Sequence, residues 1–141
     1  MAWKKLGLLV AAAVVLASPA LAQLKHGFGK PLSETEAKAA LLGIDMKGYS
    51  PSYGFSWREC IQPNGETLYE TPDRTLKGRL KITPQGEACF SYDDDDYATM
   101  ACFVTYKTGE ANNLRFEGGG LFITTRVITG VKSCEPHDLV G

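Results

Sequence analysis

The sequence predicts a mainly β protein: an antiparallel meander of about seven or eight short strands that forms a small barrel or curled sheet, with one short N-terminal helix. Two observations predict this fold. Apolar and polar residues alternate with a period of two along much of the chain after residue 50, which is the repeat of a half-buried strand. Clusters of Pro, Asn and Gly separate these segments at intervals of about 8 to 12 residues, as in all-β domains.

The composition is that of an ordinary globular protein. The chain has 141 residues, of which 44% are hydrophobic and 22% are charged. Its 15 Lys and Arg residues against 16 Asp and Glu residues give a net charge of −1, without the clustered basic excess of a nucleic-acid-binding protein. We therefore expect a single domain with no nucleic-acid partner.

Residues 1–22 have the pattern of an export signal. Lys4 and Lys5 form a basic start, an apolar run follows, and an Ala-x-Ala cleavage site ends at Ala22. The rival interpretation is an uncleaved membrane anchor, but Pro19 helps to end the apolar run before the roughly 20 residues that a span needs. We expect cleavage, a periplasmic or alternatively secreted product, and no membrane span in the mature chain.

The mature chain begins with a lead-in and a helix. Residues 23–32 contain two glycines and one proline and predict a flexible lead-in, and residues 33–141 predict one disulfide-bonded β domain. Ser33 and Glu36 match a capping box, which predicts a helix that starts there. This helix is expected to end at Gly43, where a left-handed cap costs little.

The strands follow one another with turn signals between them. Pro63-Asn64-Gly65 is a hairpin signal, and Pro72-Asp73 and Pro84-Gln85-Gly86 predict further turns. The clearest alternation lies between the last two of these turns. It places Leu76, Leu80 and Ile82 inward and Lys77, Arg79 and Lys81 outward.

All four cysteines lie after the export signal, and an even number in a small exported domain predicts disulfides. Four cysteines allow three pairings. Cys89 and Cys102 are placed symmetrically about Asp95-Asp96, so they would face each other across a hairpin with that tip. This pairing, which we prefer, leaves Cys60 to pair with Cys134.

A series of short motifs occurs in a fixed order between about residues 41 and 106. It comprises Trp57-Arg58-Glu59, Pro63-Asn64-Gly65, Gly78-Arg79-Leu80-Lys81-Ile82, Cys89-Phe90-x-Tyr92 and Cys102-Phe103-Val104. In these motifs the chain resembles a group of small, exported, uncharacterised proteins of alphaproteobacteria. It departs from the group by Leu80, where Trp is common, and by the extra pair Cys60 and Cys134. The resemblance implies a β-meander and a periplasmic location, and it implies no activity.

Four adjacent carboxylates, Asp93, Asp94, Asp95 and Asp96, are weak candidates for a metal site. Ca²⁺ prefers oxygen ligands, but this run lacks the Asp-x-Asp-x-Asp-Gly spacing of a calcium-binding loop. The alternative is a solvated hairpin tip, which Asp tolerates because it adopts left-handed conformations. We expect neither a metal nor another cofactor.

The candidate ligand-binding residues are aromatic. Trp57, Tyr53 and Phe116 could line a pocket at the mouth of a barrel, where small barrels hold ligands. The alternative is that these side chains are simply the core.

The sequence contains no Gly-x-Ser-x-Gly, His-Glu-x-x-His or phosphate-loop motif. Glu59 and Glu66 could act as acid and base, although any chain of this size contains such pairs. We therefore expect a non-enzymatic binding or structural module whose partner is a small ligand or an envelope protein. The alternatives are an envelope inhibitor of a hydrolase such as lysozyme, with the acidic run against a basic enzyme, and a hydrolytic enzyme.

Overall fold

The computed structural model of the chain describes residues 29–93, 100–109 and 112–136, which form one helix and eight strands. The elements are α1 (Glu34–Leu41), β1 (Ile44–Ser50), β2 (Phe55–Ile61), β3 (Glu66–Thr71), β4 (Arg74–Ile82), β5 (Ala88–Tyr92), β6 (Ala101–Lys107), β7 (Leu114–Glu117) and β8 (Leu121–Thr129). Each strand pairs antiparallel with the next, and β1 also pairs with β8. The predicted fold class is confirmed, as a closed eight-stranded barrel.

Side chains alternate between the barrel interior and its outer surface, as the period of two predicts. In β4, Leu80 is buried and lies opposite Phe90 of β5, whereas its neighbours Arg79 and Lys81 are exposed. Ile82 lies opposite Ala88, which is completely buried. Leu80 and Ile82 of the predicted inward set therefore belong to the core, and Leu76 lies opposite Tyr69.

The sequence does not predict β1, because its inward face carries small residues. Ile44 and Met46 are buried, but the next inward positions are Gly48 and Ser50, which break the apolar pattern. The alternation of Tyr53, Phe55 and Trp57 with polar residues predicts one strand that contains all three, but residues 51–54 form the turn that joins β1 to β2, so Tyr53 lies outside the strand.

Two inward-facing glycines leave room for aromatic rings from the neighbouring strand. A Cβ atom on Gly48 would lie 2.1 Å from the Ile123 carbonyl oxygen and 2.5 Å from the Trp57 ring. A Cβ atom on Gly78 would lie 2.7 Å from the ring of Tyr92, its cross-strand partner. The absence of a side chain at these glycines therefore lets large rings pack directly against the backbone on the inner face of a curved sheet.

Helix α1 closes one end of the barrel. Its capping box is present: Ser33 Oγ accepts from the Glu36 amide at 3.3 Å, and Glu36 Oε2 accepts from the Ser33 amide at 2.8 Å. The helix ends at Leu41 and the chain turns at Gly43, which has a φ of 72°. Leu41 is completely buried in the core.

The core at this end joins the helix to the ends of several strands. Ala37 of the helix belongs to the same buried cluster as Ile44 at the start of β1, Ile61 at the end of β2 and Ala88 at the start of β5. Leu32, which the sequence places in the lead-in, is also buried there, and its amide donates to the Thr105 carbonyl at 2.9 Å.

Both disulfides have the pairing that we preferred from the sequence. Cys89 and Cys102 are direct cross-strand partners in β5 and β6, and they are bonded to each other. Cys60, on the outer side of β2, is bonded to Cys134 in the segment that follows β8. The same segment approaches Arg58, which donates to the Glu135 carbonyl at 3.1 Å. Residues 131–136 therefore reach the outer face of β2.

Several features predicted from the sequence lie outside the described residues. They are the export signal at residues 1–22, most of the lead-in, and Asp94, Asp95 and Asp96 of the acidic run. In the ranges that are described, no helix has the length and apolarity that crossing a membrane requires.

Candidate functional site

The barrel interior contains a cavity of about 170 Å³ that opens to solvent, which we call the barrel cavity. Seven of its ten lining residues are aromatic, and one is acidic. The lining residues are Met46, Trp57, Glu59, Tyr69, Phe90, Tyr92, Ala101, Phe103, Phe116 and Phe122.

The barrel cavity lies towards the end of the barrel that is opposite to α1. Ala101 and Phe122 lie at or near the starts of β6 and β8, and Tyr92 is the last residue of β5. Ala101 is exposed, and Tyr92 and Phe122 are half-buried. Tyr69 and Phe103 are half-buried as well, so Ala101 is the one described lining residue that is exposed.

The aromatic rings around the cavity contact one another mainly edge to face. Trp57 lies at 6.3 Å from Phe116 and 6.0 Å from Phe122 between ring centroids, with interplanar angles of 83° and 74°. Phe103 meets Phe122 at 5.5 Å and 83°. Such contacts add to the stabilisation that comes from burying the rings, so these side chains hold one another in place.

Glu59 is the one carboxyl group among the described residues of the cavity lining. Its side chain is only 3% exposed, and its Oε2 atom accepts a hydrogen bond from the Tyr92 hydroxyl at 2.7 Å. Its Oε1 atom is buried and has no hydrogen-bond partner of normal geometry in the described part of the chain. Strand alternation explains this placement: Glu59 follows Trp57 on the inward face of β2, and Arg58 between them points outward.

Burial changes the acidity of this group. It raises the pKa of Glu59 from an ordinary 4.5 to about 8, although the hydroxyls of Tyr92 and Thr67 act in the opposite direction. Burial and the proximity of Glu59 also raise the pKa values of Tyr69 and Tyr92 above their ordinary range. Glu59 is therefore mainly a neutral carboxylic acid at pH 7, beside two neutral tyrosines.

A cluster of one arginine and two acidic residues lies on the outer side of the barrel wall, where other parts of the chain cover it. Arg58 donates to both carboxylate oxygens of Asp45, at 2.9 and 2.8 Å, and to Glu70 Oε2 at 2.6 Å. The Glu70 side chain is 0% exposed and that of Arg58 is 5% exposed. Burial lowers the pKa of Arg58, but its hydrogen bonds to Asp45 and Glu70 outweigh this and the net pKa is raised. This cluster holds β1, β2 and β3 together and is separate from the cavity.

The structure brings together two of the three predicted ligand-binding residues. Trp57 and Phe116 both line the barrel cavity. Tyr53 does not line it: its ring stacks on Phe55 at 6.0 Å, and 55% of the residue is exposed. Its hydroxyl donates to the Gly119 carbonyl, which joins the turn before β2 to the turn before β8.

Glu59 and Glu66 do not form a pair. Glu66 is on the outer surface, where its carboxylate accepts from Arg79 at 3.3 Å, so the two groups lie on opposite faces of the barrel wall. Asp93 is exposed at the end of β5. No group of three or more His, Cys, Asp or Glu side chains suited to a metal ion occurs within residues 29–93, 100–109 and 112–136.

The sequence predicts Glu59 only as half of this acid–base pair, and it does not predict Tyr92 as the partner of Glu59. A signal for Glu59 was present, because the alternation that places Trp57 inward places Glu59 inward too. Comparison with protein-family models, with curated proteins and with solved structures found no match to this chain.

Proposed function

We propose that the protein is an exported, non-enzymatic binding protein that holds a small and mainly apolar ligand in the barrel cavity. The observation that carries this proposal is a cavity lined by seven aromatic residues and one buried carboxyl group, whose Oε1 atom makes no hydrogen bond of normal geometry with the described residues. Ligand sites are generally apolar with a few convergent polar groups, and eight-stranded barrels are wide enough to hold one small ligand.

The cavity volume limits the size of the ligand. An apolar cavity of roughly 150 Å³ in a protein core accommodates benzene. The barrel cavity, at about 170 Å³, is suited to a molecule of about one ring with a short substituent. The ring would pack among residues such as Phe103 and Phe122, and the substituent would reach Glu59.

The chemistry of the lining favours binding over catalysis. Acid–base hydrolysis uses two positioned groups with matched pKa values. On the cavity lining the titratable groups are Glu59, Tyr69 and Tyr92, and both tyrosines are held neutral by burial. One carboxyl group in an apolar cavity is sufficient to orient a ligand.

The two disulfides support the proposed location. Disulfides form and persist in oxidising compartments, which include the bacterial periplasm. Both Cys60–Cys134 and Cys89–Cys102 are bonded, and no free cysteine occurs among the residues that the structure describes. We therefore propose the periplasm as the place where the protein binds its ligand.

The test uses toluene as a neutral probe of the cavity. Thermal unfolding of the full chain is measured with and without toluene, for the wild type and for Ala101→Phe, which places a ring in the cavity. A ligand at 100 times its Kd stabilises a protein by about 2.7 kcal/mol, so the wild-type Tm should rise and the variant's rise should be much smaller.

Ala39→Phe is the matched control, because Ala39 is exposed on α1, far from the cavity. This variant should keep the full response to toluene. A wild-type Tm that toluene does not raise, or an equal rise in Ala101→Phe, would contradict the proposed function.

A further inference from the structure

We propose that the ligand of the barrel cavity is an organic cation, a small amine of about one ring whose ammonium group donates a hydrogen bond to Glu59 Oε1. This inference rests on the proposed function and gives the ligand its chemical class. Three features of the cavity carry it: the kind of groups that face Glu59, the state of its two oxygens, and the aromatic rings around it.

Among the described lining residues, Glu59 is the one that can carry a charge near pH 7. Its cross-strand neighbours are Met46 of β1 and Tyr69 of β3, and Tyr92 reaches it from β5. The lining residues from β6, β7 and β8 are apolar. Arg58, the nearest cation along the chain, points to the outer surface and is engaged by Asp45 and Glu70. A bound cation would therefore meet a carboxylate and no competing positive charge on the part of the lining that the structure describes.

The two oxygens of Glu59 have different surroundings. Tyr92 donates to Oε2, and a hydroxyl that donates to a carboxyl favours its charged form. Oε1 is buried and belongs to a lining side chain; the Thr67 hydroxyl acts on this carboxyl, but Oε1 makes no hydrogen bond of normal geometry with it or with any other described residue. A buried polar atom of this kind costs free energy until a donor reaches it. An ammonium N–H is such a donor, and its charge also offsets the cost of ionising the carboxyl in an apolar site.

The aromatic rings add attraction for a positive charge. The face of an aromatic ring carries negative electrostatic potential, and a desolvated cation–π contact contributes about 2 kcal/mol or more. The ring centroids of Tyr69 and Tyr92 lie 5.3 Å apart next to the carboxyl group. Trp57 lies two residues before Glu59 on the same strand face. An ammonium at Oε1 would therefore lie among these rings.

Trp57 Nε1 is the other unpartnered polar atom on the described lining. It is bonded to Cε2, and Cε2 lies 2.8 Å from the position that a Gly48 Cβ atom would occupy. This edge of the indole therefore faces β1. The Trp57 N–H group is thus directed towards β1 and does not affect the proposed contact of an ammonium group with Glu59 Oε1.

The binding step has a defined proton balance. In the empty site at pH 7, Glu59 carries a proton on its carboxyl group. When an ammonium ion binds, the carboxyl gives up this proton to water, and the ammonium keeps its own protons and donates one hydrogen bond to Oε1. Binding therefore releases close to one proton at pH 7, and the affinity should rise up to tenfold per pH unit as pH rises from 6 towards 8.

The experiment compares three probes of similar size, which are benzylamine, benzyl alcohol and toluene. Isothermal titration calorimetry of the full chain at pH 7, in two buffers of different ionisation enthalpy, gives both the affinity and the number of protons released. We expect benzylamine to bind at least tenfold more tightly than benzyl alcohol and to release close to one proton. Glu59→Gln should lose this preference and the proton release and should still bind toluene, whereas the exposed Glu66→Gln should behave as the wild type.

The other possible results of this titration would contradict either the inference alone or the proposed function as well. If benzyl alcohol binds as tightly as benzylamine, or if benzylamine binds without releasing a proton, the inference is wrong while the proposed function stands. If none of the three probes binds, the proposed function fails as well. Toluene binding by Glu59→Gln shows that the cavity is intact in the variant, and the proton count on the wild type decides the question even if that variant does not fold.

Discussion

The Tyr92 hydroxyl donates a hydrogen bond of 2.7 Å to Glu59 Oε2 inside a closed barrel, between residues 33 positions apart in the chain. Tyr92 ends β5 and Glu59 lies in β2, so the bond spans the interior between strands that are not neighbours in the sheet. It gives the buried carboxyl group one hydrogen bond of normal geometry, whereas the second oxygen has none among the described residues. Because burial and this hydrogen bond both act on the pKa of Glu59, substitutions in the barrel interior should change that pKa.

Replacing Glu59 should change how stability depends on pH. The pKa of Glu59 is about 8 in the folded chain against 4.5 ordinarily, so the folded state binds the proton more tightly than the unfolded state. Wild-type stability should therefore fall as pH rises from about 4.5 to 8, by up to about 5 kcal/mol, since one pKa unit corresponds to 1.36 kcal/mol. Glu59→Gln should remove this fall.

Urea unfolding of both proteins between pH 4.5 and 8.5 measures the effect. All other titrating groups are shared, so the difference between the two curves belongs to Glu59. Parallel curves over this range would show that Glu59 does not titrate with a raised pKa.

Tyr92→Phe should raise the pKa of Glu59 further. The hydrogen bond from Tyr92 stabilises the charged form of the carboxyl, so its loss favours the protonated form. The carbon chemical shift of the Glu59 carboxyl group, followed by NMR from pH 5 to 10, should give a higher midpoint in the variant. Tyr69→Phe is the control, because the Tyr69 hydroxyl makes no described hydrogen bond to Glu59; the idea fails if both variants shift the midpoint equally.

Arg58→Ala should destabilise the protein strongly. It leaves the completely buried Glu70 and the nearby Asp45 without the guanidinium that they share. Breaking a buried ion pair by removing one partner costs about 3–5 kcal/mol. Arg79→Ala is the matched control: Arg79 pairs with Glu66, but its side chain is 68% exposed, so its loss should cost less than about 1 kcal/mol. Equal free energies of unfolding for the two variants would contradict this role of Arg58.

Gly48→Ala should also be destabilising, because the added methyl group has no room. The added Cβ atom would lie within 2.5 Å of the Trp57 ring and of the Ile123 carbonyl oxygen. Overpacking of this kind costs about 1–3 kcal/mol or more. Gly119→Ala is a suitable control, since a Cβ atom there would meet nothing within 4 Å. The midpoints of denaturant unfolding should separate the two variants, and a normal midpoint for Gly48→Ala would show that β1 can move away.

The two disulfides should contribute unequally to stability. Cys60–Cys134 closes a loop with a separation of 74 residues, and Cys89–Cys102 one of 13. In the chain-entropy model these loops correspond to about 4.5 and about 3 kcal/mol. Replacing Cys60 and Cys134 by Ser should therefore lower the free energy of unfolding more than replacing Cys89 and Cys102. The reverse order would mean that contacts in the folded state outweigh loop length.

Local signals predict the fold well where the relevant contacts are short in sequence. The capping box at Ser33 and Glu36 needs only neighbouring residues, and it is present. The pairing of Cys89 with Cys102 follows from the symmetry of a single hairpin. The two-residue alternation also identifies the inward face of β4, because that face is apolar.

The rest depends on contacts between distant residues, which local patterns do not contain. β1 was missed because Gly48 faces inward, and its place is understandable only with the Trp57 ring against it. Glu59 was not recognised as the polar group of a cavity, since a carboxylate is ordinarily assigned to solvent and Tyr92 comes from a remote strand. The cluster of Arg58 with Glu70 was not predicted either, although the two residues are cross-strand partners 12 positions apart, because charged side chains on an outward strand face are ordinarily assigned to solvent.

The pairing of β1 with β8 closes the barrel, because each of these strands occupies the edge that the other would otherwise leave unpaired. A chain that lost β8 would therefore leave two rows of unpaired backbone amides and carbonyls, one on β1 and one on β7. Such rows are templates for intermolecular strand addition. Shortening this protein by one strand at its C-terminal side should thus yield a species that self-associates, and not simply a smaller domain.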